Sequence, residues 1–143
     1  MTKLESPIPR FHLAMPVDDL TAAGRFYGEV LGLQQGRSDE TWIDWNLSGH
    51  QLVTHLAQSQ ARAVHNPVDG HDVPVPHFGL ILSVPRFAEL AERLHAAGVE
   101  FVIEPYVRFK GEAGEQWTMF LLDPAGNALE FKAFADDSQV FAA

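Results

Sequence analysis

Residues 116–123 read QWTMFLLD, residues 124–127 read PAGN, and residues 128–134 read ALEFKAF. The first piece is rich in aromatic and large apolar side chains and has the length of a strand. Asp123, Pro124, Gly126 and Asn127 supply turn chemistry: proline presets φ, glycine accepts positive φ, and Asp and Asn bond their own backbone. The last piece resumes as a strand, so the whole stretch predicts a β-hairpin. Within it Glu130 lies between Leu129 and Phe131, and strand alternation turns it to the opposite face from both. An acid in that position is either solvated on an open face or held for a purpose.

Working outward from the hairpin, the chain divides into two similar runs of elements. In the second run, residues 77–84 (HFGLILSV) predict a strand with Phe78, Leu80, Leu82 and Val84 on one face and His77, Gly79 and Ile81 on the other. Pro85 opens a helix carrying Phe87, Leu90, Ala91, Leu94 and Ala97 at helical spacing, closed by Gly98. A short strand over 99–103 and a polar loop over 104–115 lead to the hairpin.

The first run has the same order. Residues 10–17 (RFHLAMPV) predict a strand with His12 and Ala14 on one face. Asp18 or Asp19 caps a helix to about Leu31, ended by Gly32. A short strand at 33–37 follows, then one at 41–47, a Ser48-Gly49 turn, and a strand over 50–57. Between the runs, residues 58–76 lack an apolar period and read as a long connecting loop. Residues 1–8 read as a lead-in and 136–143 as a tail. The expected fold is α+β: two tandem βαβββ modules, at 9–57 and 77–134 within one domain, forming a cupped mixed β-sheet with the helices outside.

Placing the runs side by side sets His12 against His77, 65 residues apart, and His55 against Glu130. By parity all four lie on the face away from the helices. Two imidazoles and one carboxylate with open positions form a set suited to ferrous iron that also serves Zn, Mn or Ni. His12, His77 and Glu130 are therefore the candidate ligands of a divalent metal. His55 is a fourth ligand, a proton carrier or a polar residue lining the cleft. Tyr106, Arg108 and Lys110, in the loop before the hairpin, are candidates to orient an anionic substrate group. Each of these residues taken alone also reads as an ordinary polar side chain on a strand or in a solvated loop.

Composition narrows the function classes. At 143 residues with 46% hydrophobic content the chain is long enough to bury a core, and with no cysteine it has neither disulfides nor thiolate ligands. A formal charge of −9 disfavours nucleic acid and anionic membranes as partners. The absence of a long apolar run and of a signal-like N-terminus leads to the expectation of a cytoplasmic protein.

The segments HLAMPVDDLTAAGRFYGEVLGL, HFGLILSV and FLLDPAGNALEF resemble the vicinal oxygen chelate superfamily. That superfamily includes glyoxalase I, extradiol dioxygenases, fosfomycin-resistance enzymes and metal-free bleomycin-binding proteins. The resemblance covers residues 9–134. With NPVDGHDVPVPHFG and EPYVRFKGEAGEQ, the text is similar to a small bacterial group described as predicted extradiol-type dioxygenases. The resemblance implies that His12, His77 and Glu130 hold the metal, Fe(II) first among the candidates, and that a small vicinal-diol or catechol-like substrate chelates it through two oxygens. The fold type leads to the expectation of a homodimer, because paired modules in one chain leave sheet edges and apolar surface that a second copy would cover. Glyoxalases usually carry a glutamate at the strand position matched here to His55, which is a departure from their pattern. A glyoxalase-like lyase or isomerase and a non-catalytic binding protein are the alternative functions implied.

Overall fold

In the computed structural model, which describes residues 8–58 and 64–142, two compact units divide the chain at Ser59/Gln60. The first unit holds β1 (His12–Val17), α1 (Leu20–Gly24), β2 (Gln34–Asp39), β3 (Trp42–Leu47) and β4 (His50–Leu56). Asp19 caps α1 by accepting from the Ala22 amide at 3.0 Å. The helix widens into π-helical turns over Arg25–Val30, where Leu31 N–H reaches the Phe26 carbonyl at 2.8 Å. Gly32, at φ 73°, then ends it. The sheet order is β1-β4-β3-β2, with β1 and β4 parallel and the other pairs antiparallel. Phe26, Tyr27, Trp45 and Leu52 are buried, and the Tyr27 and Trp45 rings lie 6.0 Å apart. Trp45 donates its indole N–H to the Thr54 hydroxyl, at 3.1 Å.

The second unit repeats this plan. It holds β7 (His77–Leu82), α2 (Val84–Ala96), β8 (Phe101–Arg108), β9 (Gln116–Leu122) and β10 (Ala128–Phe134), in the sheet order β7-β10-β9-β8. Ser83 caps α2 and Gly98, at φ 72°, follows its end. The helix packs against β10. The buried Leu129, Phe131 and Ala133 alternate with the partly exposed Glu130 and Lys132, which gives β10 one core face and one open face. The chain is thus α+β, with two four-stranded mixed sheets built from βαβββ modules and a small third sheet.

Two sequence expectations need correction. The stretch 58–76 is not a structureless loop: it contains a hairpin of β5 (Val64–Val68) and β6 (His71–Val75), paired antiparallel. Its turn is Asp69-Gly70, both at positive φ (51° and 77°), the combination a two-residue hairpin turn requires. Pro67 and Pro74 disguise these strands in the sequence, yet a two-stranded ribbon consists of edges and tolerates them. Likewise, the polar loop expected from 104 begins only after Arg108, so Tyr106 and Arg108 sit on β8 rather than on a loop. The expected lead-in falls mostly outside the described residues, as do positions 59–63 of the expected connecting loop. The expected tail holds a short 3-10 turn, Asp137–Gln139.

Candidate metal centre

The parallel pairing of β7 with β10 brings the second unit's candidate ligands together. His77 lies opposite Ala128 and Gly79 opposite Glu130. The strands approach so closely there that a Cβ at residue 79 would stand 1.6 Å from the Glu130 carbonyl oxygen, and only glycine fits. His77 Nε2 lies 3.1 Å from Glu130 Oε1. Two ligands about 2.1 Å from one ion and at right angles to each other would be about 3.0 Å apart, so the spacing suits a shared divalent cation.

The partners of these two groups matter as much as their separation. His77 Nδ1 lies 2.7 Å from the Pro74 carbonyl, which can only accept, so Nδ1 carries the proton and Nε2 is the atom presented to Glu130. With the imidazole neutral, a nitrogen lone pair and a carboxylate oxygen face each other, an arrangement satisfied by a proton or a metal ion between them. Without metal the proton is favoured. Bonding to Glu130 raises the His77 pKa against the opposing effect of burial, with the Pro74 carbonyl adding to the rise. For Glu130 burial pushes upward, but His77, the Thr118 hydroxyl and Lys132 outweigh it and leave the carboxyl below its ordinary range. Thr118 Oγ1 donates to Glu130 Oε2 at 2.6 Å, which fixes the carboxylate and leaves Oε1 toward His77. The Phe120 ring meets the His77 ring edge-on at 4.9 Å.

In the first unit His12 is held in a similar way. Its Nδ1 lies 2.8 Å from Gln51 Oε1, which leaves Nε2 to the outside. The expected equivalence of His55 and Glu130 does not hold in register, however. Counted from each first-strand histidine, the residue paired with Ala14 is Val53, as Glu130 is paired with Gly79; His55 lies two residues further on, in the place of Lys132. His55 keeps the expected face but not the expected position. Within neither unit, among the described residues, do three His, Asp or Glu side chains converge. The donor set present in the second unit, one imidazole and one carboxylate each oriented by a second partner, fits a divalent metal.

The trio expected to orient substrate is arranged differently. Asp69, at the β5–β6 turn, accepts from both Arg108 Nε and the Tyr106 hydroxyl, the latter at 3.2 Å. Arg108 lowers the Asp69 pKa, while burial and the Asp69 charge raise that of Tyr106. Tyr106 also stacks on His71, with ring centroids 4.7 Å apart, and Arg108 lies over the Phe109 ring. These contacts hold the hairpin to β8, with Val73 buried against Ile103 and Phe120. Lys110 follows in the turn after β8, is exposed, and joins none of this. Sequence reasoning missed Thr118, Pro74 and Lys132. Only Lys132 had a legible signal: it lies two residues from Glu130 and so shares its face.

Comparisons with known proteins agree with this architecture. Residues 11–131 match the model of the Glyoxalase/Bleomycin resistance protein/Dioxygenase superfamily. A glyoxalase/bleomycin resistance protein/dioxygenase from Alicyclobacillus acidocaldarius is 31% identical, with 96% of this chain and 100% of that one covered and a TM-score of 0.78. A lactoylglutathione lyase from Agrobacterium tumefaciens (22% identity, 90% and 96% coverage, TM-score 0.65) shares the fold. So does a genomically encoded fosfomycin resistance protein from Listeria monocytogenes (17% identity, 95% and 98% coverage, TM-score 0.68). No curated protein matches the sequence. The match over residues 11–131 and the 31% identical relative, together with the repeated βαβββ plan, place the chain in the glyoxalase/bleomycin resistance/dioxygenase superfamily.

Proposed function

We propose that the protein is a divalent-metal-dependent enzyme acting on a small molecule that offers two neighbouring oxygens, with extradiol-type cleavage of a catechol-like diol as the reaction. The observation that carries the reading is the 3.1 Å approach of His77 Nε2 to Glu130 Oε1, with His77 Nδ1 already committed to a backbone carbonyl. His77 and Glu130 would hold the metal. Fe(II) is the first candidate; Zn, Mn or Ni suit the same donors. When bound, the metal supplies Lewis acidity toward the substrate oxygens and, as iron, the redox chemistry of O₂.

The chain's own residues do the rest. The Pro74 carbonyl holds His77 in the tautomer that ligates, and Thr118 holds Glu130 Oε2, leaving Oε1 toward His77. Gly79 keeps β7 close enough for the two to meet. Tyr106, whose hydroxyl donates its hydrogen bond to Asp69, is proposed to accept a hydrogen bond from substrate rather than to donate one.

The test is metal analysis of protein purified without chelators, then O₂ uptake after anaerobic loading with Fe(II) across a catechol panel. Iron binding with catechol-dependent O₂ uptake is expected. Tightly held Zn or Ni with no O₂ use would replace the reading with a glyoxalase-like lyase. No metal at all would leave a binding protein. His77→Ala is expected to lose tight metal binding and keep its fold; undiminished metal content in that variant would sink the site assignment.

A further inference from the structure

The open face of β10 carries a cation as well as an acid. Lys132 lies two residues beyond Glu130, on the same face, with its Nζ 4.0 Å from Glu130 Oε1. At that distance the ammonium feels the carboxylate but makes no hydrogen bond with it. Glu130 is already held by Thr118 and His77. Across the sheet Lys132 pairs with Ile81 on one side and Thr118 on the other, and Tyr106 lies opposite Thr118. Ile81 has no polar group, the Thr118 hydroxyl is engaged by Glu130, and the Tyr106 hydroxyl by Asp69. Arg108, in the same sheet, is committed to Asp69. Among the described residues the Lys132 ammonium donates no hydrogen bond, and its side chain is 32% exposed. An ammonium with three donors, beside the atoms that would hold a metal, is a receptor for negative charge.

We propose that Lys132 is a specificity-determining residue that selects substrates carrying an anionic group, a carboxylate or one of like charge, next to their two chelating oxygens. The inference rests on the metal-centred reading above and extends it from the chelate to the rest of the substrate. It replaces Arg108 and Lys110 as the cation facing the substrate's charge.

The experiment uses the full chain and its Lys132→Met, Lys132→Gln and Lys132→Arg variants, each loaded with Zn(II) and assayed for bound metal. Each is then titrated calorimetrically with catechol and with 3,4-dihydroxybenzoate, which differ by one carboxylate. The ratio of the two affinities cancels any general effect of the substitution on the metal. The unsubstituted chain is expected to favour the carboxylated ligand by about tenfold, the worth of one charge-assisted hydrogen bond. Lys132→Met and Lys132→Gln should bring the ratio close to one, and Lys132→Arg should keep most of it. Full metal content with a preference unchanged in both neutral variants, or with no preference in the unsubstituted chain, overturns this inference and leaves the metal reading standing. Failure of either ligand to bind the zinc-loaded chain also overturns it. No bound metal in any protein overturns the metal reading and this inference with it.

Discussion

The two units share an element order and a sheet order, and among the facing residues at which they differ one pair bears on the candidate metal centre. In the first unit Ala14 faces Val53; in the second Gly79 faces Glu130. Val53 is buried and apolar, so that sheet closes as ordinary core. At the matching place the second sheet has lost a Cβ from one strand and gained a carboxylate on the other. The difference teaches that the scaffold needs neither the glycine nor the acid. Both belong to the proposed site, and at Gly79 the strands approach too closely for a Cβ.

Substitution at that pair should separate the units most strongly. Gly79→Ala drives a Cβ into the Glu130 backbone and is expected to cost at least about 3 kcal/mol in urea unfolding, or to prevent folding of the second unit. The reverse change in the first unit, Ala14→Gly, should cost under about 1 kcal/mol. Similar losses for both would mean that the tight approach has no special role.

Next in size are two buried threonines, each of which serves its own unit. Thr118 holds a carboxylate, whereas Thr54 accepts from Trp45. Thr118→Val should weaken metal binding about 10–100-fold with little change in fold. Thr54→Val should cost about 1 kcal/mol of stability and leave metal affinity alone. Equal effects of the two on metal affinity would break the contrast.

A smaller effect is the pH response of the metal-free protein. The Glu130 pKa is held below the ordinary 4.5, so its stabilisation is present above 4.5 and is lost as pH falls through the depressed value. The His77 pKa is held above the ordinary 6.5, so its share is complete below 6.5 and is lost as pH rises through the raised value. The pair should therefore stabilise most between about pH 4.5 and 6.5, measured as the urea midpoint against pH, and Glu130→Gln should flatten that maximum. The smallest change is expected from Asp69→Asn, which loosens the hairpin from Arg108 and Tyr106. It should speed amide exchange in β5 and β6 while β1 and β4 are unaffected.

Much of the fold was legible in the sequence. Turn residues at 123–127, Asp18 or Asp19 as a cap, Pro85 at the start of the second helix and glycines after each helix marked the elements, because each reports a local backbone requirement. The alternation around Glu130 marked its face. Register was not legible: parity assigns a side chain to a face but says nothing of its height along the strand, and His55 was matched to Glu130 for that reason. The β5–β6 hairpin was hidden by its prolines, and the extent of β8 by its polar composition. The pairing of Arg108 with Asp69 depends on both of those elements, so no local pattern announced it.

The turn that joins β9 to β10 carries a consequence for inheritance. Asp123 Oδ1 accepts from the amides of Ala125 and Asn127, and its Oδ2 from the Asn127 side chain, which fixes the count of residues in the bend. That count decides which residue of β10 faces the open side. Glu130 and Lys132 look outward only because the bend has this length, and one residue more or fewer would send them inward and turn Leu129 and Phe131 out. Lineages of this chain should therefore accept changes of residue type in the bend more readily than changes of its length. A single inserted codon there would preserve every amino acid of the site and dismantle it.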